Sequence, residues 1–411
     1  MVKKFKIPWA SWYSPDEITL EFPDSWDVQL YDAKDFPEIT AEKEIKKLLN
    51  NPYGTPNLSE LAKGKKNAVI VVEDITRHAR PHKILRVVLN ELNEAGISDE
   101  NITLIAALGS HRPMVREDFI KKIGLDVLER INVENHHPYL NLVYVGNSKL
   151  GTPIHVNKTY YDADLKIAIG SVVPHLVAGF GGGAKIILPG ICGLETLKAN
   201  HSSSLKLIGV GLGHITDLRK DIEDVCSRVG LDFSINIVST VSGSIAGIFA
   251  GHYINAHREA IKLFRKIYTT VIPPNKKYDV GFFNTYPEDT ELLQSSKALN
   301  MFLLNSKMIS SRGVIVILTA STEGRGFHSL EGQTGAAHYI NFGDQDIWTF
   351  LGKRRTCLYS PNVTKADVYH FYPKSIIFEK DFKNLVKKLE EIVGKSPSAC
   401  IFATSIQLIK K

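Results

Sequence analysis

The sequence predicts an α/β protein of two domains with mostly parallel sheets. Three observations carry this reading. Short β-branched runs recur along the chain. Each is followed by a Gly- or Pro-marked loop and then an amphipathic helical stretch. A Pro-rich polar segment, VIPPNKK at 271–277, interrupts the rhythm before it restarts, and places the boundary between domains 1–270 and 271–411.

The elements follow in order. AVIVVED at 68–74 reads as a buried strand, and PHKILRVVLNELNEAG at 81–96 has apolar residues at helical spacing with Gly96 as its stop. NITLIAALG at 101–109 is the next strand, followed by the loop SHRP and a helix at VREDFIKKIG. NLVYVG, TPIHVN and DLKIAIGSVV read as strands, the last opening into the glycine-rich loop PHLVAGFGGGAKIILPG at 174–190. A helix from about Leu194 to Ser202, the strand SINIVST and a helix near 255–269 complete this half. The second half comprises YDVGFFN, a helix from Thr290 to Leu303, GVIVILTAS, a less regular stretch containing Trp348, a strand DVYHFY, a helix at 380–394 and ACIFATS. No short-period repeat is present, which excludes a solenoid.

Composition narrows the function classes. The chain has 411 residues, 44% hydrophobic and 23% charged, and no apolar run of membrane-spanning length. Its net charge of +6 is scattered, so nucleic acid is not the leading partner, while an anionic small molecule is compatible. Cys192, Cys226, Cys357 and Cys400 are far apart, which suggests neither a disulfide framework nor a Cys-type zinc site. With no apolar h-region in MVKKFKIPWASWYSPDE, a cytoplasmic protein is expected. Few Met, Cys and Gln beside abundant Lys, Glu and Ile hint at a thermophilic habitat.

In open α/β sheets ligands gather beyond the carboxyl ends of strands. Three such loops carry unusual polar groups: Asp74-Ile75-Thr76-Arg77, Ser110-His111-Arg112-Pro113 and Pro174-His175. Asp74 and Thr76 could simply cap the next helix, Arg77 could be a surface cation, and either histidine could bond to backbone. Two histidines and an arginine at three equivalent strand ends favour a shared crevice.

The loop Gly179-Phe180-Gly181-Gly182-Gly183-Ala184-Lys185 lets backbone N–H groups approach an anion. It is not a Walker A loop, which needs glycine before and Ser/Thr after the lysine, and it does not fit a G-x-G-x-x-G dinucleotide turn. The apolar run IILPGI after it would hold Lys185 partly desolvated, the setting of a nucleophilic lysine. His201, at a helix end, either answers the helix dipole or supplies one metal ligand, the others coming from elsewhere. His136 and His137 read as loop residues and His155 as packing. Gln294 and Lys297 share one helix face and could grip a carboxylate, or simply face solvent.

PHLVAGFGGGAKIILPGICGLETLKANH resembles the nickel-pincer-nucleotide-dependent lactate racemase family, as do EDITR, GSHRPM and NTYPEDTELLQSSKAL, several ordered motifs between about residues 70 and 300. The resemblance implies an interdomain cleft holding a pyridinium mononucleotide whose two thiocarboxyl-derived arms bind nickel. It makes Lys185 the covalent attachment point, His201 the nickel ligand, and His111 and His175 the acid/base pair. Asp74, Ile75, Thr76 and Arg77 would contact the cofactor, Arg77 also the substrate, and Gln294 and Lys297 would hold the substrate carboxylate. The implied activity is racemisation or epimerisation of a 2-hydroxy acid, isomerase chemistry in which the α-hydrogen moves as hydride. Cofactor-biosynthesis proteins are the implied suppliers. One departure is Gly181, where family members often carry serine. The alternative is a non-enzymatic carrier of an anionic nucleotide, which would need no acid/base pair. A phosphate-loop hydrolase is disfavoured by the failed Walker pattern.

Overall fold

All six residues of Ala68–Glu73 are buried, the mark of a strand covered on both faces. In the computed structural model, which describes residues 2–202, 212–329 and 351–410, that strand is central to a six-stranded sheet. The order across it is Ile245–Gly251, Phe233–Ser239, Leu165–Ser171, Ala68–Glu73, Ile102–Ala107 and Asn132–Asn135. All neighbours pair parallel except the first two, where Ile245–Gly251 returns antiparallel. The chain runs outward from Ala68–Glu73 in one direction and then resumes on its other side at Leu165–Ser171. The crevice where strand order reverses therefore lies beyond Glu73 and Ser171.

This sheet belongs to a unit spanning Asp35–Lys266. The predicted helices are present at His82–Glu94, Arg116–Ile123, Leu194–Ser202 and Asn255–Tyr268, and Gly96 takes a φ of 98°. NLVYVG and TPIHVN are strands, Leu142–Asn147 and Pro153–Asn157, but form a separate two-stranded antiparallel hairpin outside the main sheet, with a single bridge from Val156 to Cys192. The helix Asp217–Val229 has no counterpart in the sequence reading. Thr216 caps it, accepting from the Arg219 N–H at 3.2 Å.

The other unit joins Ile267–Lys411 to Met1–Lys34. Its sheet is parallel throughout, in the order Ile377–Glu379, Arg355–Tyr359, Ile309–Leu318, Tyr278–Asn284, Ser398–Phe402, Asp27–Tyr31. The first 34 residues, expected with the N-terminal domain, thus complete the C-terminal one. Asp27–Tyr31 adds an edge strand to Ser398–Phe402, and Phe22 packs edge-on against Phe282 at 5.2 Å and Phe382 at 5.4 Å. Such a long-range pairing leaves no mark in local spacing.

Two elements differ in kind. DVYHFY, expected as a strand, lies mostly within the helix Lys365–Phe371, because Thr364 and Asp367 form a reciprocal capping box at its start. The helix expected over 290–303 is a 3-10 helix, Leu292–Leu299, continued by α-helix at Asn300–Leu304. The Ser295 hydroxyl bonds back to the Leu292 carbonyl and competes with regular α pairing. The stretch around Trp348 lies outside the described residues. All four cysteines are buried thiols, and no helix among the described residues is long and apolar enough to cross a membrane.

Asp289 is fully buried and accepts the backbone N–H groups of Ala10 and Ser11 at 2.9 and 3.0 Å. Burial pushes its carboxyl up to about 6, against the pull of those donors. Below its ordinary value of 3.8 the group is protonated whether the chain is folded or not. Between 3.8 and about 6 only the folded state keeps the proton, so stability falls as pH rises through this window. Urea unfolding across pH 4–7 should show that loss in the wild type and its absence in Asp289→Asn.

Candidate active site

At the end of Ala68–Glu73 the chain makes an Asx turn. Asp74 Oδ1 accepts the Thr76 N–H at 2.7 Å, and the Arg77 N–H donates to the Asp74 carbonyl at 3.2 Å. The next helix starts only at His82, with Pro81 at its cap, so Asp74 and Thr76 do not cap it. The other oxygen, Oδ2, lies 2.7 Å from Nδ1 of His111, on the loop after Ile102–Ala107.

Hydrogen-bond accounting fixes the proton of that pair. The Thr76 hydroxyl donates to Asp74 Oδ1 and accepts from Arg77 Nη1 at 3.0 Å. Asp74 is buried and can only accept, so His111 Nδ1 is the donor and Nε2 carries the lone pair of the neutral ring. Burial alone would raise the Asp74 carboxyl. The attraction and hydrogen bond of His111, with Arg77 and Thr76, hold it well below the usual carboxylate range. An ionised carboxylate behind an imidazole keeps the ring oriented and favours proton transfer at its far nitrogen.

Beneath this turn lies a pair that the sequence reading missed. Lys122 is completely buried, and its Nζ donates to Glu73 Oε1 at 3.3 Å and to the Arg77 carbonyl at 2.6 Å. Glu73 Oε2 accepts both the N–H and the hydroxyl of Ser171 at 2.8 Å. One ion pair thus ties the ends of the two strands flanking the switch point and holds the Asp74–Arg77 turn from below. Burial pushes the Lys122 ammonium down, opposed by Glu73 and Asp74. Arg112, in the predicted loop, is occupied by Asp118 at 2.6 Å.

Beyond Ser171 the chain forms a small hairpin in which Pro174 and His175 pair with Phe180 and Gly179. His175 Nδ1 accepts the backbone N–H groups of Val177 and Ala178 at 3.3 and 3.1 Å. The glycine loop that follows is clamped from its inner side. Buried Arg219 donates through Nη1 to the Phe180 and Gly182 carbonyls at 3.1 and 3.0 Å, and through Nε to Glu223 at 2.8 Å. His257 Nε2 donates to the Gly181 carbonyl at 2.7 Å, and Asn236 Oδ1 accepts the Gly183 N–H at 2.8 Å. Burial, with Arg219 and Arg258 nearby, pushes His257 well below the usual histidine range, so it stays neutral. None of these clamps is adjacent in sequence to the loop; an arginine and a histidine on otherwise amphipathic helices were the only signals.

At Gly183, φ is 55°, and a Cβ would lie 2.7 Å from the Tyr253 carbonyl. At Gly181 a Cβ would meet its nearest atom at 3.5 Å, an ordinary contact, so the departure from serine there is sterically neutral. Gly181→Ser is expected to change stability by less than about 0.5 kcal/mol, and Gly183→Ala to cost about 1–3 kcal/mol in urea unfolding.

Lys185 is half-buried, and Ile186, Ile187, Leu188 and Ile191 behind it are buried, as the sequence suggested. The next loop is tied to the histidine loop by Gly109 N–H on the Gly190 carbonyl at 2.8 Å. His136, expected as a loop residue, is buried and bonds the Cys192 carbonyl at 2.9 Å, with burial pushing it down to about 4. His155 packs beside the Tyr144 ring.

His201 Nδ1 lies 2.8 Å from the Leu197 carbonyl, so Nδ1 donates and Nε2 is the nitrogen able to bind a metal. Among the described residues no three His, Cys, Asp or Glu side chains form a metal cage. Burial also pushes all four thiols up, so they offer no thiolate. This donor set fits a metal that arrives with most of its ligands attached. Ile75 is buried. In the other unit, Gln294 and Lys297 share a face of the 3-10 helix, and Lys297 Nζ is 2.8 Å from the buried carboxylate of Glu288.

The largely parallel sheet, the histidine held by a carboxylate at its switch point and the clamped glycine loop ending in a lysine define an α/β unit of the class that places a ligand beyond its strand ends. The sequence profile of the lactate racemase N-terminal domain matches residues 13–209. The lactate racemase of Thermoanaerobacterium thermosaccharolyticum is 30% identical over 295 residues, covering 70% of this chain and 68% of that protein. The lactate racemase of Lactiplantibacillus plantarum is 30% identical over 317 residues, 75% and 71% of the two chains. The T. thermosaccharolyticum lactate racemase apoprotein structure matches the fold with a TM-score of 0.79 at 24% identity, over 100% of both chains. A Thermotoga maritima protein matches with a TM-score of 0.68 at 21% identity, over 92% of this chain and 100% of that one. The chain belongs to the lactate racemase family and is an isomerase.

Proposed function

We propose that the protein racemises lactate or a closely related 2-hydroxy acid, using a nickel-pincer nucleotide linked covalently to Lys185. The observation that carries the reading is the Asp74–His111 pair at the switch point, 2.7 Å apart, in the same unit as the clamped glycine loop and His201, whose Nδ1 donates to the Leu197 carbonyl. A carrier needs no such pair.

Bound, the cofactor would supply an acceptor and donor of hydride for the α-hydrogen. That chemistry suits the substrate, because removing the hydrogen as a proton would place a second negative charge beside the carboxylate. The residues that would hold the cofactor are Lys185, His201 and the turn Asp74-Ile75-Thr76-Arg77. The chain's own work is proton handling and orientation. His111 and His175 manage the hydroxyl proton, and Arg77 faces the carboxylate with a cation fixed through Thr76. Gln294 and Lys297 are proposed as further carboxylate contacts. Cofactor-biosynthesis proteins are proposed as suppliers and the cytoplasm as the setting.

Protein produced with the cofactor pathway present should carry nickel and a mass adduct, and should convert either pure enantiomer of lactate or a related 2-hydroxy acid. Lys185→Ala should lose the adduct and the activity together. Nickel and adduct without conversion of any 2-hydroxy acid would favour the carrier reading.

A further inference from the structure

Asn200, the residue before His201, is buried, and its Nδ2 donates to Oδ2 of Asp221 at 3.0 Å. Asp221 is buried as well, and the same oxygen accepts the Thr152 hydroxyl at 3.0 Å. Its other oxygen, Oδ1, is buried with no hydrogen-bond partner among the described residues. The first turn of the His201 helix, Leu194–Ser202, is held by Thr196, whose hydroxyl accepts the His155 N–H at 2.9 Å. His201 Nδ1 bonds to the Leu197 carbonyl of that same helix, so the ring goes where the helix goes.

Asp221 lies on the helix Asp217–Val229, two residues after Arg219. Two residues are about 200° of helical turn, so the two side chains leave opposite sides of the helix. From one side Arg219 reaches the Phe180 and Gly182 carbonyls of the glycine loop, and from the other Asp221 reaches Asn200. The helix is tied elsewhere too. The Thr216 hydroxyl at its cap donates to the Val177 carbonyl at 2.8 Å, and Asp224 Oδ2 accepts the Lys149 N–H at 2.8 Å. One braced element thus links the loop that ends in Lys185 to the helix that carries His201.

We infer that Asp221 is a positioning residue for His201: through Asn200 it locks the His201 helix to the helix that clamps the glycine loop, and so sets the span between the two residues that hold the cofactor. This rests on the cofactor reading of Lys185 and His201. Two fixed attachments to one rigid ligand tolerate little error in the span between them. The bond at Lys185 is covalent and survives a loosened helix, whereas the metal bond of His201 depends on where the imidazole is held. Loss of Asp221 should therefore separate the two attachments, releasing metal while the adduct stays.

The test compares wild type, Asp221→Ala, Asp221→Asn and Val225→Ala, all produced with the cofactor pathway present. Val225 is fully buried on the same helix, and its truncation removes packing but no hydrogen bond. Transfer of nickel to the chelator 4-(2-pyridylazo)resorcinol, counted per adduct-bearing molecule, should run about 10–100-fold faster in Asp221→Ala. The visible absorption of the bound nickel should shift in that variant alone. Asp221→Asn keeps an oxygen for both donors and should match wild type, as should Val225→Ala. Deuterium exchange of the apoproteins gives the cofactor-free readout. Relative to strand Leu165–Ser171, the amides of 198–202 should exchange about 10-fold faster in Asp221→Ala and unchanged in Asp221→Asn. Nickel held as in wild type by Asp221→Ala, equal loss in Val225→Ala, or no rescue by Asp221→Asn each overturns the inference. Wild-type protein that takes up neither nickel nor adduct overturns the cofactor reading and the positioning role with it, while the anchoring of the His201 helix is still decided by exchange.

Discussion

Asp74→Asn is expected to lower kcat for racemisation by about 10³–10⁴-fold, counted per nickel- and adduct-bearing molecule. The substitution keeps the volume of the side chain and removes only its charge and one acceptor. The Thr76 N–H and hydroxyl both donate to Oδ1, so the amide oxygen of Asn would settle there and its NH2 would face His111. A donor at that position forces the lone pair of His111 onto Nδ1 and the proton onto Nε2. The ring could then no longer accept the hydroxyl proton where substrate needs it. Single-turnover kinetics should place the loss in the chemical step, with KM changed far less than kcat. A variant that keeps more than about a tenth of wild-type kcat would mean that the carboxylate is not needed to orient the base.

The second large effect is one of stability. Lys122→Met is expected to cost about 3–5 kcal/mol, because it leaves Glu73 charged, buried and without its counter-ion. For a unit of this size that corresponds to a fall in Tm of roughly 10 °C. The Arg77 carbonyl would lose its 2.6 Å donor at the same time, loosening the turn that carries Asp74. The double variant Glu73→Gln with Lys122→Met removes both charges and should recover part of the loss. Differential scanning calorimetry of the four proteins closes the cycle, and an additive outcome would show that the two side chains do not act as a pair.

Much of the N-terminal sheet was legible because buried parallel strands are apolar runs and their helices keep a 3.6-residue period. The loops proposed to carry chemistry were legible for the same reason, since they follow those strands. Which side chain serves which was not. Taken alone Asp74 read as a helix cap, and only the resemblance made it a cofactor contact; the fold brings it to His111, 37 positions along the chain. Lys122 and Arg219 carried no mark of burial in the sequence, yet both are completely buried, because partners such as Glu73 and the Phe180 and Gly182 carbonyls come from a strand end and a loop distant in sequence. The edge strand Asp27–Tyr31 was invisible for the same reason. DVYHFY misled because its β-branched and aromatic content suits a strand, whereas the capping box just before it decided the outcome.

The central claim is that this chain inverts a 2-hydroxy acid by moving the α-hydrogen as hydride, with the protein handling only the hydroxyl proton. The most direct measurement is conversion of a single lactate enantiomer by the cofactor-loaded enzyme in D2O, read by chiral chromatography and 1H NMR of the product. The account predicts the opposite enantiomer with protium retained at the α-carbon. Inversion with deuterium at that carbon would contradict it, as would the failure of any lactate-like 2-hydroxy acid to invert in the presence of bound nickel.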